Sequence, residues 1–291
     1  MLNFGNLMTA MVTTFNENLE VDYNQLEVLS NYLVENGTTT LVLCGTTGES
    51  PTLTKDEKIN IVRHVRESIS KNIPIVAGTG SYSTKESIEL SIQAEKAGAN
   101  ALLVVNPYYN KPNQKGLYEH FKAIAESVSI EIVLYNHPGR TGVCIDPETL
   151  QKLSEIKNIT CIKDSSGNLD LISQYKLAVG DNLKIYSGDD SLNLPIYSLG
   201  GVGAVSVASH IAGKDISKMF NLLENNNFKE AQKIHYKLFN LFKILFCAPS
   251  PAPTKYALYY KGIIKNPLVR LPITSLNENE KIKIEEVIKN I

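Results

Sequence analysis

The sequence predicts an α/β fold of the (β/α)8, or TIM-barrel, type with a helical extension at its C-terminal end. Eight short apolar runs alternate with amphipathic stretches of helical period within the first 225 residues or so, the size of a closed eight-unit barrel. The runs are nearly continuous in apolar residues, as in a parallel sheet covered on both faces. Beyond about residue 213 strand-like runs stop and only helical patterns remain. The length, 291 residues, suits one barrel or two ordinary domains and does not choose between them. An open doubly wound sheet is the structural alternative, but no GxGxxG turn follows the first run.

In chain order, a first strand is read at 7–12, then a helix at 22–36 that Asp22 can cap. A strand at 40–44 passes through GTTGES into a helix at 55–70, where Thr54 and Glu57 have capping-box spacing. A strand at 74–78 precedes a helix at 84–98, capped by Ser83 or Thr84. Strands at 101–105, 131–135, 159–163, 184–187 and 202–207 complete the eight, with helices at 115–128, 147–154, 169–179 and 190–199 between them. Gly37 and Gly98 follow helices where a left-handed residue suits the C-terminal turn. The remainder reads as helices near 214–224, 228–246, 254–261 and 278–290, broken by PSPAP at 249–253. The organisation expected is a catalytic barrel over 1–224 and a helical extension over 225–291.

Charge is balanced, with Lys+Arg 29 against Asp+Glu 30, so no broad field favours nucleic acid or an anionic membrane. A small-molecule ligand or a neutral protein surface is expected instead. Hydrophobic content of 43% is that of an ordinary globular chain with a sizeable core, and no apolar run is long enough to span a bilayer. No targeting signal is read in MLNFGNLMTAMVTTF, and the first Lys or Arg is Lys55. Cys44, Cys144, Cys161 and Cys247 are scattered without CxxC spacing, which predicts buried thiols in a reducing cytoplasm. The histidines form no HxxxH pair, so no metal is expected.

Active-site residues of such a barrel gather at the C-terminal ends of its strands. Lys163 closes the run ITCIK and shares a face with Cys161. If that face is the barrel interior, desolvation lowers the ammonium's pKa, and the free amine can attack a ketone to form an imine. A lysine turning into solvent is the plainer reading, and position alone slightly favours it. Tyr135 ends the preceding strand, where an inward phenol would neighbour Lys163 and relay protons; an amphipathic tyrosine rimming the core is the alternative. Arg140 follows in a Pro-Gly turn, able to grip a carboxylate or simply to be solvated. In GTTGES, Gly45 and Gly48 let backbone amides approach a ligand while Thr46 and Thr47 add hydroxyls; the spacing is not that of a phosphate-binding Walker loop. NPYYNKP at 106–112 is a proline-bounded aromatic loop suited to a site or an interface, or else a surface loop. Each feature alone has an ordinary explanation. Their joint occurrence after barrel strands favours chemistry.

GTTGES and the stretch from Tyr135 to Lys163 together resemble the two signatures of the class I pyruvate-dependent lyases, the family of the dihydrodipicolinate synthases and N-acetylneuraminate lyases. The resemblance runs from the first strand to LVRLPIT near 268–274, and YNHPGRTG with DSSGN after the lysine is similar to the synthase branch. It implies condensation of pyruvate with L-aspartate 4-semialdehyde through a Schiff base on Lys163, without a cofactor, on the diaminopimelate route to lysine. Thr46, Tyr109 and Tyr135 would be the proton relay, with Tyr109 reaching a neighbouring subunit's site. Thr47 would bind the pyruvate carboxylate and Arg140 that of the semialdehyde; Gly188, Val205 and Ser250 would line the site. A cytoplasmic homotetramer, built as a dimer of dimers, is implied by the same resemblance. A lyase for 2-keto-3-deoxy sugar acids and a catalytically silent binding barrel are the other readings. His137 stands where an aliphatic residue is common. Lys55, Lys58 and Tyr82 replace residues of the lysine-effector pocket of lysine-inhibited synthases, while Glu86 and Tyr108 are kept; this predicts weak or absent lysine feedback.

Overall fold

The computed structural model describes residues 2–291. Eight parallel strands close in sequence order into a barrel: β1 (Leu7–Ala10), β2 (Thr40–Leu43), β3 (Ile75–Gly78), β4 (Ala101–Val105), β5 (Glu131–Asn136), β6 (Ile159–Asp164), β7 (Lys184–Ser187) and β8 (Gly203–Ser206). The helices around it are α1 (Tyr23–Glu35), α2 (Lys55–Ser68), α3 (Thr84–Lys96), α4 (Gln114–Glu126), α5 (Pro138–Thr141), α6 (Pro147–Ser154), α7 (Leu169–Val179), α8 (Asn193–Ser198) and α9 (Ser209–Glu224). Three more follow: α10 (Phe228–Ile244), α11 (Ala252–Tyr260) and α12 (Glu278–Lys289). All eight strands lie where the apolar runs predict them.

Alternation along the strands separates two cores. Met8, Val42, Val76, Val133, Cys161 and Tyr186 fill the barrel interior. Leu41, Leu102, Leu134, Ile162 and Ile185 face the helices. Cys161 and Ile162 therefore fall on opposite faces, and Lys163 follows Cys161 inward. Tyr186 helps close the lower end, its hydroxyl donating to Gly5 O at 2.9 Å.

The helix ends follow the expected caps. Asp22 accepts from Gln25 N and Ser83 from Glu86 N, and Thr54 with Glu57 forms a complete capping box. Gly37 and Gly98 both adopt φ of +99°. Three elements depart from expectation. α5 has four residues, too few for a periodic signal. The stretch expected as one helix at 190–199 begins as a 3-10 turn, Asp190–Leu192, because Asp189 accepts from Ser191 N before α8 starts. α9 starts at Ser209 rather than near 214, with a kink at Ala212. Its Gly213 permits close packing, since a Cβ there would lie 2.3 Å from Asn36 O.

Cys44 and Cys161 are buried, but Cys144 is only half-buried and Cys247 is exposed, so burial of all four thiols is not found. Among the described residues no helix is long and apolar enough to cross a membrane. At the C-terminal end α10 packs on α9 and α12, and α11 is almost wholly buried from Ala252 to Leu258.

Candidate active site

Lys163 is the next inward residue of β6 after Cys161, with Tyr135 of β5 and Tyr186 of β7 as its register partners. It is 6% exposed. Its Nζ lies 4.2 Å from the Tyr135 ring centroid, a cation–π distance. Among the described residues no carboxylate forms an ion pair with it. An amine so placed is not committed to a structural partner and has a phenol beside it.

On the opposite face, the next residues of the same strands make the scaffold. Asn136 Nδ2 donates to Asp164 Oδ2 at 2.8 Å and to the Tyr175 hydroxyl at 3.2 Å, and Asn106 Nδ2 donates to Asn136 Oδ1 at 3.0 Å. Asp164 also accepts from Ser166 N and Oγ, which closes the DSSGN turn. Burial raises its carboxyl pKa, and these hydrogen bonds oppose the rise. The network locks the ends of β4, β5 and β6 together. Tyr135 and Lys163 are thereby held in fixed relation.

The GTTGES turn follows β2. Glu49 N donates to Thr46 O at 3.0 Å and Ser50 N to Gly45 O at 3.2 Å, folding Thr46 and Thr47 over the barrel end. Thr47 is buried and Thr46 half-buried. Glu49 holds the turn from beneath in a left-handed conformation, φ +57°. Its carboxylate accepts from Lys255 Nζ at 2.5 Å and from Arg270 N at 2.9 Å. The Glu49–Lys255 pair is 1% exposed on each side. Lys255 Nζ also donates to Leu268 O at 2.7 Å and lies 4.1 Å from the Phe15 centroid. Burial lowers the Lys255 pKa to about 8, while Glu49 opposes that shift.

Arg140 lies exposed on α5, which Pro138 opens and Gly142 closes at φ +73°. Thr46, Tyr135, Arg140 and Thr141 border one cavity of about 230 Å³, with Tyr108 and Lys58 on its far wall. Lys58 is buried enough to lower its pKa, with Glu86 acting against the shift.

Not every expected residue converges on this space: Lys163 and Thr47 do not border it, although Tyr135, the register partner of Lys163, does. Tyr109 is 93% exposed, sits at φ +72° on the aromatic loop and does not border the cavity. Gly188 backs Lys163 directly: a Cβ there would fall 2.8 Å from Lys163 Cε. Val205 belongs to the inner core on β8. Ser250 is half-buried in the turn before α11, and none of these last three borders the cavity.

Sequence reasoning missed Glu49, Lys255 and Arg270 as supports, and Ser165 at the mouth. Charged residues are rarely buried, so a glutamate in a glycine turn and a lysine in a late helix read as solvated. The apolar surroundings of Lys255, APTKYALYY, were the available signal.

A parallel barrel that buries an amine against a phenol at the open ends of its strands has the architecture of the barrel lyases that work on carbonyl substrates. The chain belongs to the Dihydrodipicolinate synthetase family, whose profile it matches over residues 3–291. It is 47% identical over 290 residues to the 4-hydroxy-tetrahydrodipicolinate synthase of Bacillus velezensis, covering 100% of both chains. Its structure is similar to that of dihydrodipicolinate synthase from Bacillus anthracis, with a TM-score of 0.97 and 45% identity over 100% of this chain and 99% of the other. The chloride-inhibited dihydrodipicolinate synthase from Acinetobacter baumannii, solved in complex with pyruvate, gives a TM-score of 0.96 at 39% identity over 99% of each chain.

Proposed function

We propose that the protein condenses pyruvate with L-aspartate 4-semialdehyde to give 4-hydroxy-tetrahydrodipicolinate, with Lys163 as the covalent centre. The observation that carries this reading is the buried Lys163 amine, register-paired with Tyr135 and without a carboxylate partner among the described residues. Family membership and the pyruvate complex of the Acinetobacter relative support the substrate class.

The amine adds to the pyruvate ketone, and loss of water gives an imine, for which Tyr135 relays the protons. Loss of a methyl proton converts the imine to an enamine, whose carbon attacks the aldehyde. Thr46 joins Tyr135 in the relay, and Thr47 holds the pyruvate carboxylate. Arg140 receives the carboxylate of the semialdehyde at the entrance, where its exposure leaves the fork free. Gly188, Val205 and Ser250 complete the lining. No cofactor takes part.

Tyr109 completes a neighbouring subunit's relay in this reading, which accounts for an exposed aromatic held at positive φ. The assembly proposed is a cytoplasmic homotetramer, a dimer of dimers. The catalytic unit proposed is the barrel at 1–224, with 225–291 as its helical extension; the Lys255–Glu49 bond links the two.

Borohydride reduction in the presence of pyruvate, followed by peptide mass mapping, tests the covalent step. The expected result is a reduced pyruvyl adduct on the peptide that holds Lys163. Unmodified Lys163, or an adduct on another lysine, overturns the proposal.

A further inference from the structure

The layer of the barrel immediately above Lys163 carries two buried polar atoms with no hydrogen-bond partner from another residue. β5 and β6 pair Tyr135 with Lys163 and Asn136 with Asp164. The ladder runs on, because Ser165 N donates to Asn136 O at 2.9 Å. On the other side β6 and β7 pair Lys163 with Tyr186, and Gly188 N donates to Asp164 O at 2.7 Å. Side chains return to the same face every second residue. The next layer toward the mouth is therefore His137, Ser165 and Gly188.

Gly188 leaves this layer open. A Cβ at that position would lie 2.0 Å from Ser165 Oγ and 2.8 Å from Lys163 Cε, so the hydroxyl and the lysine tip border one space. His137 stacks edge-on against Tyr135, with ring centroids 5.9 Å apart. Ser165 Oγ is buried and unbonded, and His137 Nδ1 is buried with no partner from another residue, the imidazole's local contact being with its own backbone. Leaving such a group unpaired is costly, and two together at one mouth mark where a ligand's polar atoms go.

The polarity of the pair selects the ligand group. Burial, then the charges of Arg140 and Lys163, push the His137 imidazole down to about 4, so it is neutral at physiological pH. A neutral imidazole presents one unprotonated nitrogen, and a serine hydroxyl accepts as readily as it donates. Asp189 adds a negative charge within electrostatic range of His137. Acceptors beside a carboxylate suit an ammonium group, while Arg140 serves the ligand's own carboxylate.

We propose that His137 and Ser165 bind the α-amino group of the aldehyde substrate and hold it over the imine carbon. This rests on the reaction proposed above and specifies how its product leaves the enzyme. Once the carbon–carbon bond has formed, the bound ammonium gives one proton to the unprotonated nitrogen of His137, and the free amine attacks the protonated imine carbon to make the ring C–N bond. The bond from the same carbon to Lys163 breaks, and a second proton from the attacking nitrogen departs on the lysine amine. No oxidant or reductant is required.

The test compares L-aspartate 4-semialdehyde with its des-amino analogue, succinate semialdehyde, in the full-length enzyme and in His137→Val, Ser165→Ala and the double variant. Ser165→Ala removes a single oxygen atom, which keeps the test valid if His137→Val does not fold. The double variant is expected to raise KM for aspartate semialdehyde about tenfold or more, as for loss of hydrogen bonds to a charged group. KM for pyruvate, borohydride trapping of pyruvate and inhibition by succinate semialdehyde should stay within about twofold of the parent, since none of them uses the amino group. Unchanged KM for aspartate semialdehyde overturns the proposal. So does a parallel weakening of succinate semialdehyde, which would place the pair elsewhere on the ligand. Failure of the parent enzyme to trap pyruvate on Lys163 would instead sink the reaction on which the proposal depends.

Discussion

Replacing Lys255 by methionine isolates the support under the threonine turn. The substitution keeps side-chain length and apolar packing, including contact with Phe15, but removes the only cation paired with the Glu49 carboxylate among the described residues. Breaking a buried pair from one side costs about 3–5 kcal/mol, because the remaining charge is left in low dielectric. Glu49 keeps its bond from Arg270 N at 2.9 Å, which argues for the lower half of that range. Unfolding entropy of about 2.1 cal/mol/K per residue converts 3–5 kcal/mol into a fall of about 5–8 °C in Tm for a 291-residue chain. The double variant Glu49→Gln/Lys255→Met removes both charges and should recover at least about 2 kcal/mol of the single variant's loss. Thermal unfolding followed by circular dichroism measures both, and pyruvate KM reports on the Thr46–Thr47 turn. A single variant within about 1 kcal/mol of the parent, or a double variant less stable than the single, refutes the reasoning.

Gly188→Ala suits the backbone φ, which lies outside the left-handed range, yet it sets a methyl group 2.0 Å from Ser165 Oγ and 2.8 Å from Lys163 Cε, so both side chains must shift. Displacing the nucleophile by about 1 Å predicts a kcat about 100-fold lower with little change in Tm, measured in parallel on one preparation. Millimolar L-lysine should leave activity essentially unchanged, because half-buried Lys58 already places a cation on the cavity wall within electrostatic range of Glu86, while Lys55 pairs with Glu89. An inhibition curve with strong suppression in that range would contradict this expectation.

The fold was legible because barrel strands are apolar on both faces and their helices carry ordinary caps. Asp22, Thr54 and Ser83 mark their helix starts as their side-chain chemistry dictates. Boundaries failed where local geometry depends on distant packing. The start of α9 is hidden by Gly213, whose smallness serves contact with Asn36 rather than a turn. Lys163, Tyr135, Thr46 and Arg140 were legible as strand-end chemistry, and the structure gathers them around one end of the barrel. Tyr109 was legible only as part of an aromatic loop, since its own chain gives it nothing to touch. Ser165 and the burial of His137 were within reach: carrying the two-residue alternation one step past Tyr135 and Lys163 finds both. Glu49 and Lys255 were not, because only the closed fold brings residues 206 apart into contact.

That separation sets an order of events during synthesis. The threonine turn emerges from the ribosome with the second strand, but its anchors, Lys255 and the backbone of Arg270, are made 206 and 221 residues later. At about 5–20 residues per second, the turn waits on the order of ten seconds or more for its support. All eight strands are complete by Ser206, so a nascent barrel can pair its sheet well before the turn acquires either anchor. Chains cut short between the last strand and Lys255 should therefore carry the lysine and its phenol but lack a settled threonine turn.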